Sequence, residues 1–309
     1  MTIRSIVFAG AVGALALAAL LPGRAAAHGT QSISISLVGS QLTPSKWAYP
    51  EPTISLGFDP TNVDDSTTVP GWGIVGGGAG QIQATDQIGY NIASPLYFSA
   101  GTTAGLAGPE LLEIWSNLDD DPPVKMELSG TSPAFQSGPN LRAAGIFLNE
   151  HKHYLSYDLL PGNTATGAYG FYLEAKSPQH DTSHRFFMGF NRGLAAANFN
   201  SAVLAMRALP RGDMNDDGRL DNFDIQFFED ALGDAAAYEA ANPWMVGIRK
   251  LRGDINGDGD FTNFDIQPFE ALLTGGGSGS LAAVPEPSGI ALAALGLVGL
   301  ASRRRRRRG

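Results

Sequence analysis

The sequence predicts a mainly β chain: an antiparallel β-sandwich or jelly-roll domain followed by a small α-helical module. Three observations predict it. Between residues 28 and 193, short runs of alternating apolar residues are separated by glycine- and proline-rich turns, the pattern of many short antiparallel strands. The 309 residues include 39 glycines and 19 prolines, and only 17% are charged, which suits a turn-rich sheet protein better than a helical bundle. A stretch beginning at Gly212 recurs 41 residues later, so one structural unit is used twice outside the sheet domain.

Residues 1–27 read as an export signal. Arg4 supplies the charged start, Ile6 to Leu21 the apolar core, and Ala25-Ala26-Ala27 a small-residue cleavage site. The sheet domain follows over 28–193. Ile33, Ile35 and Leu37 alternate with Ser32, Ser34 and Ser36, as in a strand with one wet face. Gly71 to Gly80 is a turn region. Strand-like runs follow at Gln81–Ile92, Glu110–Trp115, Val124–Leu128, Phe147–Leu160, Tyr169–Ala175 and Arg185–Phe190. In Tyr169–Ala175, Tyr169, Phe171 and Leu173 share one side, and Tyr172 and Glu174 the other.

Residues 194–210 predict a connecting helix. The stretch is alanine-rich, carries Phe199, Val203, Leu204 and Met206 at helical spacing, and stops before Pro210. The repeat module spans 211–274. Between its halves Asp234 is placed to cap a short helix, Ala235 to Ala241, that Pro243 ends. Residues 275–284 form a Gly/Ser linker, and 285–309 a tail.

No cysteine is present, so stability comes from packing and bound metal rather than disulfides. The formal charge of the whole chain is −9. The segment between signal and tail holds 13 basic and 29 acidic residues, a charge of −16. A surface that acidic excludes nucleic acid and anionic lipid as natural partners and suits divalent cations.

The repeat reads GDMNDDGRLDNFDIQFFE and then GDINGDGDFTNFDIQPFE. Each copy sets oxygen donors at the spacing of a calcium loop. In the first, Asp213, Asn215 and Asp217 hold positions 1, 3 and 5; Arg219 offers its backbone carbonyl at 7; Asp221 and Asp224 hold 9 and 12. In the second the donors are Asp254, Asn256, Asp258, Asp260 through its carbonyl, Thr262 and Asp265. Gly218 and Gly259 stand at position 6, where the turn needs positive φ. Two such loops, each ending in Asp and leading into a helix with none before it, resemble a type I dockerin. The resemblance implies two Ca2+ ions and docking to a cohesin-like domain. Positions 10 and 11, where cellulosomal dockerins often carry a cohesin-contacting Ser-Thr pair, hold Asn222-Phe223 and Asn263-Phe264 here. Phe223 and Phe264 are expected to pack between the two halves, with Phe227, Phe228 and Phe269 beside them.

The tail places Pro285, Glu286 and Pro287 ahead of an apolar run, Gly289 to Ala301, and a basic cluster, Arg303 to Arg308. Signature, apolar segment and arginines in this order resemble the PEP-CTERM sorting tail of exported bacterial proteins. The resemblance implies a transmembrane helix that tethers an inner-membrane intermediate, processing by an exosortase-type enzyme, and delivery to the cell surface or extracellular matrix.

Catalytic signals are thin. The sequence has no nucleophile elbow, no HExxH, no P-loop and no cysteine nucleophile. Carboxylates occur at Glu113, Asp119, Asp120, Asp121, Glu127, Glu150, Asp158, Glu174 and Asp181. Glycosidase chemistry needs two of them facing each other across a bond. Three readings stand. The first is a non-catalytic recognition or structural domain carried on a calcium module. The second is a polysaccharide-degrading enzyme or accessory subunit carried on a dockerin. The third is a copper protein, in which a new N-terminal His28 joins His151 and His153, two residues apart on a strand and so on one face.

Overall fold

The computed structural model describes residues 32–49, 65–67, 71–116, 124–140, 148, 151–152, 155–160 and 165–275. The chain divides into two units, Met1–Thr30 and Gln31–Gly309. The first, and with it the predicted export signal and His28, lies outside the described residues, as do His153, Asp119 to Asp121, Glu150 and the tail.

The strands in chain order are β1 (Ser32–Val38), β2 (Gln41–Pro44), β3 (Ala48–Tyr49), β4 (Asp65–Thr67) and β5 (Gly71–Ile74). Then come β6 (Gly89–Ile92), β7 (Tyr97–Ser99), β8 (Ala104–Leu106), β9 (Leu111–Ser116) and β10 (Lys125–Ser129). The last five are β11 (Gln136–Asn140), β12 (His151–Lys152), β13 (Leu155–Leu160), β14 (Gly167–Lys176) and β15 (Phe186–Arg192). They form three sheets: a four-stranded one in the order β12-β5-β1-β2, a four-stranded one in the order β10-β9-β13-β4, and a seven-stranded one built on β11-β6-β14-β15-β3, with β7 on β14 and β8 on β7. The domain is therefore mainly β, as predicted, but it is not purely antiparallel. β1 runs parallel to β5, and β15 parallel to β3.

Alternation explains the faces. Ile33 and Ile35 of β1, Leu112 and Ile114 of β9, and Leu155, Tyr157 and Leu159 of β13 are buried. They meet Tyr169, Phe171 and Leu173 of β14 and Phe186, Met188 and Phe190 of β15 in one core between the sheets. β15 is buried along its whole length, because the other face of its sheet is covered too. There Tyr172 and Phe187 pack against Phe199, Ala202, Val203 and Met206 of helix α1 (Ala196–Arg207). The predicted helix is present; Leu204 is the exception, 39% exposed, because it falls on the turn facing away from the sheet. The run predicted from Gln81 narrows to β6, which starts at Gly89.

The module contains α2 (Asp224–Gly233), α3 (Ala235–Ala241), α4 (Arg249–Gly253) and α5 (Ile266–Gly275), with 3-10 turns at Pro243–Met245 and Asn263–Asp265. The Asp234 side chain accepts from the N–H groups of Ala236 and Ala237 and so caps α3, as predicted. One expectation fails here. The second loop does have a helix before it, the short α4. The module has its own core of Met214, Phe228, Ala231, Tyr238, Met245, Ile248 and Phe269.

Candidate functional site: two acidic loops and their buried arginines

Both loops fold through a shared set of hydrogen bonds, because the same side chains sit at positions 1, 3, 5, 6 and 12. Asp224 closes the first loop: its Oδ1 accepts from Met214 N at 2.8 Å and Asn215 N at 3.1 Å, and its Oδ2 from Asp221 N at 2.9 Å. Asp265 closes the second in the same way, with Ile255 N at 2.8 Å, Asn256 N at 3.0 Å and Thr262 N at 2.8 Å. At position 1, Asp213 Oδ2 accepts from Gly218 N at 3.1 Å, and Asp254 Oδ2 from Gly259 N at 3.0 Å. The Asn215 and Asn256 carbonyl oxygens accept from Asp217 N and Asp258 N. Gly218 and Gly259 have φ of +87° and +92°, the backbone the turn requires.

The donor set is all oxygen, with neither sulfur nor imidazole, and fits a hard cation such as calcium. Among the described residues no three His, Asp or Glu side chains gather closely enough to hold a metal by themselves. The asparagine carbonyls, the Thr262 hydroxyl and the backbone oxygens of Arg219 and Asp260 would have to complete each shell. Burial, with the nearby Asp213 charge, pushes Asp224 up to about 7 against the backbone N–H groups that favour its charged form. A divalent ion would offset that burial cost.

Phe223 and Phe264 contradict the packing expectation: they are 74% and 79% exposed. The reason is helical register. The buried face of α2 runs through Asp224, Phe228 and Ala231, and residue 223 precedes it on the outer side. The slot between the halves is filled instead from position 8, where Leu220 and Phe261 pack against the core. Phe261 meets Phe228 edge-on at 4.9 Å, and Phe228 stacks on Phe269 at 4.1 Å. Phe228 and Phe269 are core as expected; Phe227 is partly buried beside them.

Arginines that the sequence reading passed over organise the site. Arg211 and Arg252 occupy equivalent places in the repeat and cross over reciprocally. Arg252 Nη1 donates to the Asp213 carbonyl at 2.8 Å, and Arg211 Nη1 to the Asp254 carbonyl at 2.9 Å. The symmetry ends there. Arg252 is fully buried, pairs with Asp216 Oδ1 at 2.6 Å, and donates to the Tyr172 hydroxyl and the Arg207 carbonyl. Arg185, at the entry to β15, donates from Nε to Asp216 Oδ1 at 2.9 Å and from Nη2 to Asp213 Oδ2 at 2.5 Å. Its guanidinium lies over the Tyr172 ring, 4.2 Å from the centroid. Burial acts to raise the Asp216 carboxyl, but the two guanidinium groups prevail and hold it below its usual range. Asp216 adopts φ +59°, a conformation that costs a non-glycine residue on the order of 1 kcal/mol. A sequence signal existed for part of this: position 4 is Asp216 in one loop and Gly257 in the other, and Arg252 repeats Arg211. Nothing local marks Arg185.

Elsewhere, Glu113 and Glu127 lie opposite each other on β9 and β10, bridged by Lys125 Nζ at 2.7 Å to each. Asp158 faces Glu113 across β13. His180 pairs with Asp86 at 2.7 Å. His184 stacks on Trp244 at 3.5 Å, with Trp47 edge-on to Trp244 at 5.7 Å. His151 stands in β12, paired with Gly73 of β5.

Residues 283–307 match the PEP-CTERM protein-sorting motif. That signal marks an exported protein sorted to the cell surface and processed by an exosortase-type enzyme, as the tail residues predicted. No curated protein and no solved structure is significantly similar to the chain. Among the described residues no helix is long and apolar enough to cross a membrane; the apolar run of the tail lies outside them.

Proposed function

We propose that this exported, surface-sorted protein binds calcium through its repeated acidic loops, and that the calcium-bound module presents Phe223 and Phe264 to a protein partner, as a dockerin-like module would to a cohesin-like domain. The observation that carries the calcium reading is the repeated hydrogen-bond pattern: in both loops the position 1 aspartate accepts from the position 6 glycine N–H, and the position 3 asparagine from the position 5 aspartate N–H. The docking reading rests on equivalence. Phe223 with Ile225, and Phe264 with Ile266, are exposed at matching places in the two halves. Exposed acidic residues, Asp217, Glu229, Asp258, Asp260 and Glu270, belong to the same loops and helices, so the partner would combine apolar contacts with basic side chains.

The sheet domain is read as a non-catalytic structural or recognition body. Glu113 and Glu127, register partners on β9 and β10, are tied together by Lys125. Equilibrium dialysis of the full chain against labelled calcium, with and without excess magnesium, tests the first part. Capture of a cell-surface protein by the full chain in calcium, lost in the double variant Phe223→Ser/Phe264→Ser without loss of calcium binding, tests the second. Capture that survives the double variant would reject the docking face.

A further inference from the structure

We propose that the two loops have divided their roles: the first is a metal-independent latch that fixes the module to the sheet domain, and the second alone responds to calcium. This rests on the calcium reading above and assigns it to one half of the repeat.

The first loop carries its own cations. Its Asp213 and Asp216 carboxylates are fully buried and faced by two fully buried guanidinium groups, Arg185 from the sheet domain and Arg252 from α4. Two positive charges against two negative ones leave the buried part of this loop locally neutral apart from Asp224. A divalent ion entering at Asp213 would sit beside two fixed positive charges in a site shielded from solvent, where like-charge repulsion is strong. Position 4 shows that this arrangement is built in. Asp216 holds a left-handed backbone that a glycine would adopt freely, and its carboxylate is what binds both arginines.

The second loop lacks each of these features. Position 4 is Gly257, at φ +76°, and a Cβ built there would lie 3.8 Å from Arg211 Nη1. Arg211 is exposed, and among the described residues its side chain donates only to the Asp254 carbonyl. Among the described residues no basic side chain pairs with the buried carboxylates of Asp254 or Asp265; Lys250 of α4 pairs instead with exposed Asp260 at 2.9 Å. Two buried carboxylates without a counter-ion are what a calcium ion neutralises.

Asp217 and Asp258 are matched probes, both exposed and both at position 5. Calorimetric titration of the chelator-treated full chain with calcium chloride is expected to show one ion per chain. Asp258→Ala weakens that binding at least tenfold, and Asp217→Ala changes it less than twofold. In chelator, hydrogen exchange keeps the Gly218 amide protected while the Gly259 amide opens. Two ions bound equally, with the two variants equally damaging, would overturn the division of roles and leave the calcium reading standing. Absence of any calcium binding would overturn both.

Discussion

Arg185, at the entry to β15, donates to the Oδ2 of Asp213, the residue that opens the first acidic loop. The two side chains are buried, and the bond joins the sheet domain to the module. The module is thus not a bead on a string. Residues 211–274 cut from the chain would expose Asp213 and Asp216 without Arg185, so the fragment is a poor substitute for the whole protein.

Removing Arg185 is therefore expected to be severe. Arg185→Met leaves two buried carboxylates facing one guanidinium, and breaking a buried pair by deleting one partner costs about 3–5 kcal/mol. Urea unfolding in chelator, compared with the parent chain, measures it. A loss below about 1 kcal/mol would show that the pair is not a structural latch.

Gly218 and Gly259 separate backbone strain from contact. Both have positive φ, but a Cβ on Gly218 would come within 2.8 Å of Arg185 Nη1, while one on Gly259 meets nothing within 4 Å. Gly259→Ala should cost about 1–2 kcal/mol from strain alone. Gly218→Ala should cost about 1–3 kcal/mol more, since the guanidinium must shift from its carboxylates. Equal losses by thermal denaturation would remove Arg185 from the account.

Acidification is expected to act in two windows. Burial against Trp244 lowers the His184 pKa from its usual 6.5, with a smaller opposing pull from Asp216. The unfolded chain then takes up a proton that the folded chain refuses, so the His184 contribution to stability falls as pH drops below about 6.5, while Asp224, raised to about 7, adds stability on the same descent. Asp216, held below its usual 3.8, contributes stability that is present above that pH and lost beneath it. His184→Gln should flatten the upper window and leave the lower one. Urea midpoints between pH 7 and pH 4 that are unchanged by the substitution would exclude His184.

What could be read from the sequence is what local pattern encodes. Ile33 and Ile35 declare their buried face by alternation, Asp234 caps α3 where its spacing says, and the paired loops announce their turns through Gly218 and Gly259. What could not be read depends on long-range partners. Arg185 stands 28 residues before Asp213 with no periodic relation to it, and only the fold of β14 and β15 brings it there. The parallel pairing of β1 with β5 is another product of tertiary assembly. Phe223 and Phe264 look like core residues by composition; one residue of helical register turns them outward.

The most direct measurement is thermal unfolding of the full chain in calcium, in magnesium and in chelator. Calcium at a hundred times its dissociation constant should add about 2.7 kcal/mol, raising the midpoint by roughly 5–10 °C, and magnesium at the same concentration should raise it far less. Identical midpoints in calcium and in chelator would contradict the claim that the repeat module binds calcium.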